Sequence, residues 1–150
     1  MTQPTKRGEH DSGELTIRDV SAIMAKQDVA MVGTRHGDDV AVRPMSNNRD
    51  VEFDGDTYFF TTDDTLTVAD IKADPRVSVS YQDVDDDRFI AMTGEATLHT
   101  ERSQLEAHWQ KHMSQWFEGG LDTEGLTLIA VRADRVHYWV GRTEGELVLD

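Results

Sequence analysis

His108 and His112 stand four residues apart in the segment HWQKH, a spacing at which one helix face can clamp a zinc ion. The segment lacks the Glu that accompanies such a pair in zinc-hydrolysing helices, and no third ligand follows, so an ordinary helix face is the plainer reading. The run Asp83-Val84-Asp85-Asp86-Asp87 opens like a calcium loop. A loop begun at Asp83 needs Gly at 88 and Glu at 94, where Arg88 and Gly94 stand, so the run reads as a solvated acidic loop. There is no cysteine, which excludes disulfides, thiolate metal sites and a thiol nucleophile. Phosphate-cradling glycine loops and the Gly-x-Ser-x-Gly elbow are also missing. His36 lies in an expected hairpin turn and reads as exposed. Tyr58-Phe59-Phe60 is a run of strand-forming aromatics, suited to a core or to the wall of a cofactor cleft.

The elements that would position these residues follow from hydrophobic period. Residues 1–14 are polar and without apolar spacing and read as a disordered arm. Thr16, with Asp19 three residues on, offers a capping box, and Ile17, Val20, Ile23 and Met24 give a short helix over 17–27. From Val29 the period changes to two. Residues 29–35 and 39–47 form a hairpin, and 57–62 a strand after the Asp54-Gly55 turn. A short helix over 65–74 ends at Asp74-Pro75. Two strands follow, at 76–82 and 88–100, with Gly94 marking a bulge or bend. Leu105, Trp109, His112, Met113 and Trp116 share one face of a helix over 101–117, broken by Gly119-Gly120. Two last strands, split near Ala133-Asp134, lead to a tail over 141–150. Hairpin pairs without regular strand–helix alternation predict a mainly β chain with flanking helices, an antiparallel barrel in one domain over 15–140.

Charge excludes several partners. The 150 residues carry 15 Lys plus Arg and 29 Asp plus Glu, a net −14 that repels phosphate backbones and anionic lipid surfaces. No basic cluster is present to release counterions, so neither nucleic acid nor membrane is expected as a partner. No 18-residue apolar run and no leader-like apolar stretch is found, which leaves the cytoplasm as the default location.

Certain short motifs occur in a telling order: Arg43-Pro44-Met45, Asp54-Gly55-Asp56 running into Tyr58-Phe59-Phe60-Thr61-Thr62, and Val68-Ala69-Asp70-Ile71. Asp74-Pro75-Arg76-Val77, Thr93-Gly94-Glu95-Ala96, Trp116-Phe117-Glu118-Gly119 and Val136-His137-Tyr138-Trp139 complete it. Over residues 15–140 the chain resembles the pyridoxamine phosphate oxidase-like flavin-binding split-barrel superfamily, and within it the general stress protein 26 group. The resemblance implies a homodimer of six-stranded split barrels with FMN in two interface clefts, and a small-molecule redox partner. It would place Arg43 near the ribityl phosphate, with Pro44 and Met45 at the isoalloxazine edge. Phe60, Thr61 and Thr62 would contact the ring and ribityl chain, and Trp116 and Trp139 would reach across from the partner.

One departure bears on the cofactor. Where the family carries a Ser-Arg-Lys-like triplet for the phosphate, this chain has Thr65-Leu66-Thr67, preceded by Asp63-Asp64. Thr65, Thr67 and the helix start would have to hold the phosphate instead. Losing two charge-assisted hydrogen bonds, each worth roughly 1.5–3 kcal/mol, weakens FMN by about two to four decades. The readings left are a flavin-dependent oxidoreductase, a deazaflavin binder, and a non-catalytic barrel that holds a small ligand. Whatever the ligand, a net −14 predicts a melting temperature that climbs between low and molar sodium chloride, as screening over about 10 Å at 0.1 M relieves self-repulsion. A flat or falling curve would remove self-repulsion as a controlling factor.

Overall fold

The computed structural model describes residues 14–48 and 52–149. The expected N-terminal arm lies, except for Glu14, outside the described residues. Helix α1 (Ile17–Ala25) starts where the sequence puts its cap: the Thr16 hydroxyl accepts from the Asp19 amide, and the Thr16 amide donates to the Asp19 carboxylate at 2.8 Å. Val20, Ile23 and Met24 are its buried stripe. Strands β1 (Val29–His36) and β2 (Asp39–Ser46) form the first hairpin. They are followed by β3 (Asp56–Thr62), α2 (Leu66–Ala73), β4 (Arg76–Asp83) and β5 (Arg88–His99). Then come α3 (Arg102–His108), β6 (Leu126–Val140) and β7 (Thr143–Val148).

All strand pairs are antiparallel, in the order β2-β1-β4-β5-β6-β3, with β7 also on β6. Six strands make the curved path, and the seventh, β7, pairs with the stretch of β6 that β3 leaves free. Strands β2 and β3 are its two ends, not hydrogen-bonded to each other, so the barrel is split along that line. Its interior is filled by Val32, Phe59, Val79, Tyr81, Ile90, Met92, Ile129 and Val136, all essentially without exposure, and α1 packs against the same cluster. A second cluster lies outside β3 and β6, where Phe60, Leu126 and Leu128 meet Leu105 and Met113.

Three expectations are corrected. The helix over 101–117 stops at His108: Trp109 and Gln110 are extended, and Lys111–Gln115 is a single 3₁₀ turn. A continuous helix of 17 residues would run straight for about 25 Å. The break instead lets Trp109 set its edge on Phe60, with ring centroids 5.2 Å apart, and lets His108 stack on Tyr58 at 3.8 Å. It also parts the helical spacing of His108 and His112. The Asn48 side-chain amide donates to the His108 carbonyl at the broken end, at 3.1 Å. Second, the 126–133 and 135–140 strands are one. Asp134 is the extra residue of a bulge, since Thr93 faces Arg135 while Gly94 faces Ala133. Third, the expected tail over 141–150 is, in its described residues 141–149, no tail: Gly141, at φ 58°, and Arg142 turn the chain into β7, which is tied to β6 by the Arg135–Glu146 and His137–Glu144 pairs. The segment TEGELV carries too little apolar alternation to announce a strand; pairing with β6 makes it one.

Gly94 sits where the bulge brings two backbones together. A Cβ there would lie 2.1 Å from the Arg132 carbonyl oxygen. Gly94→Ala is therefore expected to cost about 1–3 kcal/mol through forced backbone movement. Thermal melting reads this as a loss of roughly 2–4 °C per kcal/mol; an unchanged melting temperature would show the bulge to be soft.

Candidate functional site

The split between β2 and β3 opens a cleft of about 390 Å³. Alternation on β2 sends Pro44 and Ser46 to the outer face and Met45 inward against the core. As an edge strand, β2 tolerates Pro44, which has no N–H to give. Phe60 faces out of the barrel from β3. Met113, Trp116 and Phe117, on and just after the 3₁₀ turn, close the far wall. Trp116 is 65% exposed, a large ring standing at the mouth. The walls are thus largely apolar and partly flat. A more polar recess of about 540 Å³ adjoins, sharing Val29, Ser46 and Trp116 and adding Asp28, Asn47 and His112. Asn47 is held there by bonds from its amide to the Met24 and Gln27 carbonyls, at 2.8 and 2.9 Å. Nε2 of His112 is buried with no protein partner.

The start of α2 lies just after β3. The Thr65 side chain caps the helix, accepting from the Val68 amide and donating to the Thr62 carbonyl at 2.9 Å, and it lies 3.3 Å from the Thr61 hydroxyl. The Thr62 hydroxyl donates to Asp64 at 2.6 Å. Thr67 is buried. Farther along α2, the Asp70 side chain is only 4% exposed and faces β1 and β2. It accepts from the Thr34 hydroxyl at 2.7 Å, from His36 Nδ1 at 2.6 Å and from Arg43 Nη2 at 3.4 Å. Arg43 Nη1 in turn donates to the Thr34 hydroxyl at 2.8 Å.

The family described as "Pyridoxamine 5'-phosphate oxidase like" matches residues 16–149. The chain belongs to this pyridoxamine 5'-phosphate oxidase-like family. Among curated proteins, Protein bli-3 of Neurospora crassa is 23% identical over 132 residues, which are 81% of this chain and 63% of that protein; the match spans under two thirds of its length. Among solved structures, a protein of Clostridium acetobutylicum related to general stress protein 26 superposes with a TM-score of 0.79 at 15% identity, over 89% of this chain and 94% of that one. General stress protein 26 of Bacillus anthracis gives 0.72 at 19%, over 87% and 95%. The general stress FMN/FAD binding protein of Xanthomonas citri gives 0.68 at 22%, over 89% of each chain. These likenesses show the split-barrel fold.

Within that fold the site expectations divide. Pro44, Met45, Phe60 and Trp116 come together around the cleft. Thr61, Thr62 and Thr65 gather at the helix start. Arg43 and Trp139 do not line the cleft. Arg43 shares the inward face of β2 with Met45, but its guanidinium is drawn to Asp70 on α2. Trp139 lies on β6, stacked on His137 at 4.2 Å, and its indole N–H has no protein partner. Met113 and Asp70 were missed. Met113 counted as one more residue of a long helix. Asp70 stands 27 residues from Arg43, and no local spacing joins them. His36, read as merely exposed, proves to be fixed by that carboxylate.

The residues present fit one end of FMN and not the other. The apolar walls suit a flat ring system. Where the resemblance would put the phosphate, Arg43 is already paired, the Thr62 and Thr65 hydroxyls are engaged, and Asp63 and Asp64 add negative charge, so those residues do not suit a dianion. No helix among the described residues is long and apolar enough to cross a membrane.

The hydrogen bond from His36, with help from Thr34 and Arg43, holds the Asp70 carboxyl below its ordinary range. The Arg88 guanidinium does the same to Asp83, and the Arg76 guanidinium, 2.6 Å away, to Asp134. Each group has a lower pKa folded than unfolded, so the unfolded chain binds the extra protons. The stability these groups contribute is whole above the unfolded carboxylate value near 4, and it is lost as pH falls from there through the folded values. Melting temperatures should hold near neutrality and drop steeply below about pH 4. Asp70→Asn should flatten part of that drop; an acid limb of unchanged slope in this variant would deny Asp70 a share in it.

Proposed function

We propose that this chain binds a flavin, FMN or a close relative, with the ring in the cleft between β2 and β3. We propose further that it works in the cytoplasm as a flavin-dependent oxidoreductase on a small-molecule redox partner. The observation that carries this reading is the cleft itself: a slot at the split of the barrel, walled by Pro44, Met45, Phe60, Met113, Trp116 and Phe117, in a member of the pyridoxamine 5'-phosphate oxidase-like family. Burying a flat ring there is favourable at about 25 cal/mol per Å² of apolar area. The polar recess beside it leaves room for a second, smaller molecule. A flavin brings its own redox chemistry, so the protein's share is the walls, the charge around them and access.

The same reading includes a homodimer. Val29, Val40 and Val42 are 47%, 65% and 58% exposed on one outer sheet face, beside the small residues Ser78 and Ser80 of β4. Such a flat face, rich in β-branched side chains and adjoining the cleft at Val29, suits a second copy of this chain. Trp116 would then be covered by the partner rather than by water.

Titration of the purified protein with FMN and with riboflavin, followed by absorbance between 350 and 500 nm and by quenching of flavin fluorescence, tests the reading. Both ligands are expected to bind at micromolar strength. Trp116→Ala, at an exposed position, should change stability by no more than about 0.5 kcal/mol yet weaken both ligands by about tenfold. Light scattering should give twice the 16.9 kDa of one chain. Failure to take up either flavin would make the non-catalytic barrel the better account.

A further inference from the structure

Arg43 lies two residues before Met45 on β2, so the two side chains project to the same face of the strand. It is the cation nearest, along that strand, to the cleft wall. Its side chain is 20% exposed and both terminal nitrogens are engaged: Nη1 donates to the Thr34 hydroxyl and the Val32 carbonyl, Nη2 to Asp70. Asp70 is held in turn by Thr34 and His36, so the carboxylate is fixed from three sides. Among the described residues no second Lys or Arg shares a hydrogen bond with this cluster. A ligand phosphate reaching for Arg43 would meet a cation whose charge is already cancelled by a buried anion. Drawing Arg43 away would strip a cationic partner from Asp70, whose side chain is only 4% exposed. The nearby hydroxyls of Thr61 and Thr65 exchange neutral hydrogen bonds only.

We infer that Asp70 is a specificity-determining residue: by cancelling Arg43 it makes the cleft select a ring ligand whose tail is uncharged and hydroxylated, such as a dephosphorylated flavin, over its phosphorylated form. This rests on the ring-binding reading above, and it goes further in naming the class of ligand and the residue that sets it. Asp70 acts through Arg43 and is a positioning residue. The family resemblance alone pointed the other way, toward Arg43 as a phosphate contact.

Calorimetric titration of riboflavin and FMN into wild type, Asp70→Asn and Leu66→Arg decides the matter. Wild type should bind riboflavin more tightly than FMN, by up to about tenfold. Asp70→Asn keeps the shape and removes the charge; it should tighten FMN about tenfold or more and leave riboflavin within about threefold. Leu66 is 53% exposed at the start of α2, so Leu66→Arg adds an uncancelled cation without touching the core, and it should produce the same selective gain even if Asp70→Asn folds poorly. FMN bound more tightly than riboflavin by wild type overturns the inference, as does an unchanged ratio in both variants. Melting in millimolar inorganic phosphate against equal chloride separates the two readings. If wild type takes up neither flavin, the ring-binding reading falls, and the melts alone judge Asp70. A phosphate-dependent rise in Asp70→Asn beyond that of wild type upholds it as the cancelling anion; equal responses overturn it.

Discussion

A strand has two edges of backbone donors and acceptors, and the way β6 shares out its two edges governs the rest of this molecule. One edge is given along most of its length to β5, with a bulge at Asp134 to absorb the curvature. The other is divided: Leu126 to Arg132 pair with β3, and Arg135 to Val140 pair with β7. Because β3 pairs only with β6, it makes no ladder with β2, and the sheet curls round without closing. Strand β6 is thus paired on both sides, while β2 and β3 keep a free edge each. The cleft lies along that opening. Its existence is therefore a consequence of how the sheet distributes its hydrogen bonds, and the side chains lining it only decide what it can hold.

The outer cluster gives the cleft its apolar character. Phe60 points away from the barrel and would be exposed on a bare strand. The chain after β5 folds over it, first as α3 and then, after the extended Trp109 and Gln110, as a 3₁₀ turn. Leu105 and Met113 are buried by this return, and Trp116 is carried past the end of the shelter to the mouth. Packing has here overruled helical propensity: the broken segment covers Phe60, Leu126 and Leu128 better than one straight rod would.

Charge divides the site in a second way. An acidic chain surrounds a nearly neutral slot, and one of its cations near that slot is neutralised internally by Asp70. The network of Thr34, His36, Arg43 and Asp70 joins α2 to the β1–β2 hairpin, so it holds the helix in place while it removes a positive charge from the ligand's reach. Structural and selective roles fall on the same carboxylate, because any buried anion must collect donors and cations wherever the fold provides them.

Much of this was legible in the residues themselves. The Thr16–Asp19 cap, the hairpin at 29–47, the strand at 57–62 and the helix stopped by Pro75 each rest on residues close in the chain, and local spacing carries that information; Gly94 marked the place of a bulge whose extra residue, Asp134, lies on β6. The ordered motifs from Arg43 to Trp139 likewise named the family. What the sequence could not disclose was anything made by residues far apart. β7 is a strand because β6 offers it an edge; the 101–117 helix breaks because Phe60 and Tyr58 must be covered; the Arg43 guanidinium is held because Asp70, 27 residues later, lies across from it. Local patterns determine which elements form and where they begin. The choice of partner for a free strand edge, an exposed ring or a buried charge depends on what else arrives at the same place, and only the assembled barrel decides that.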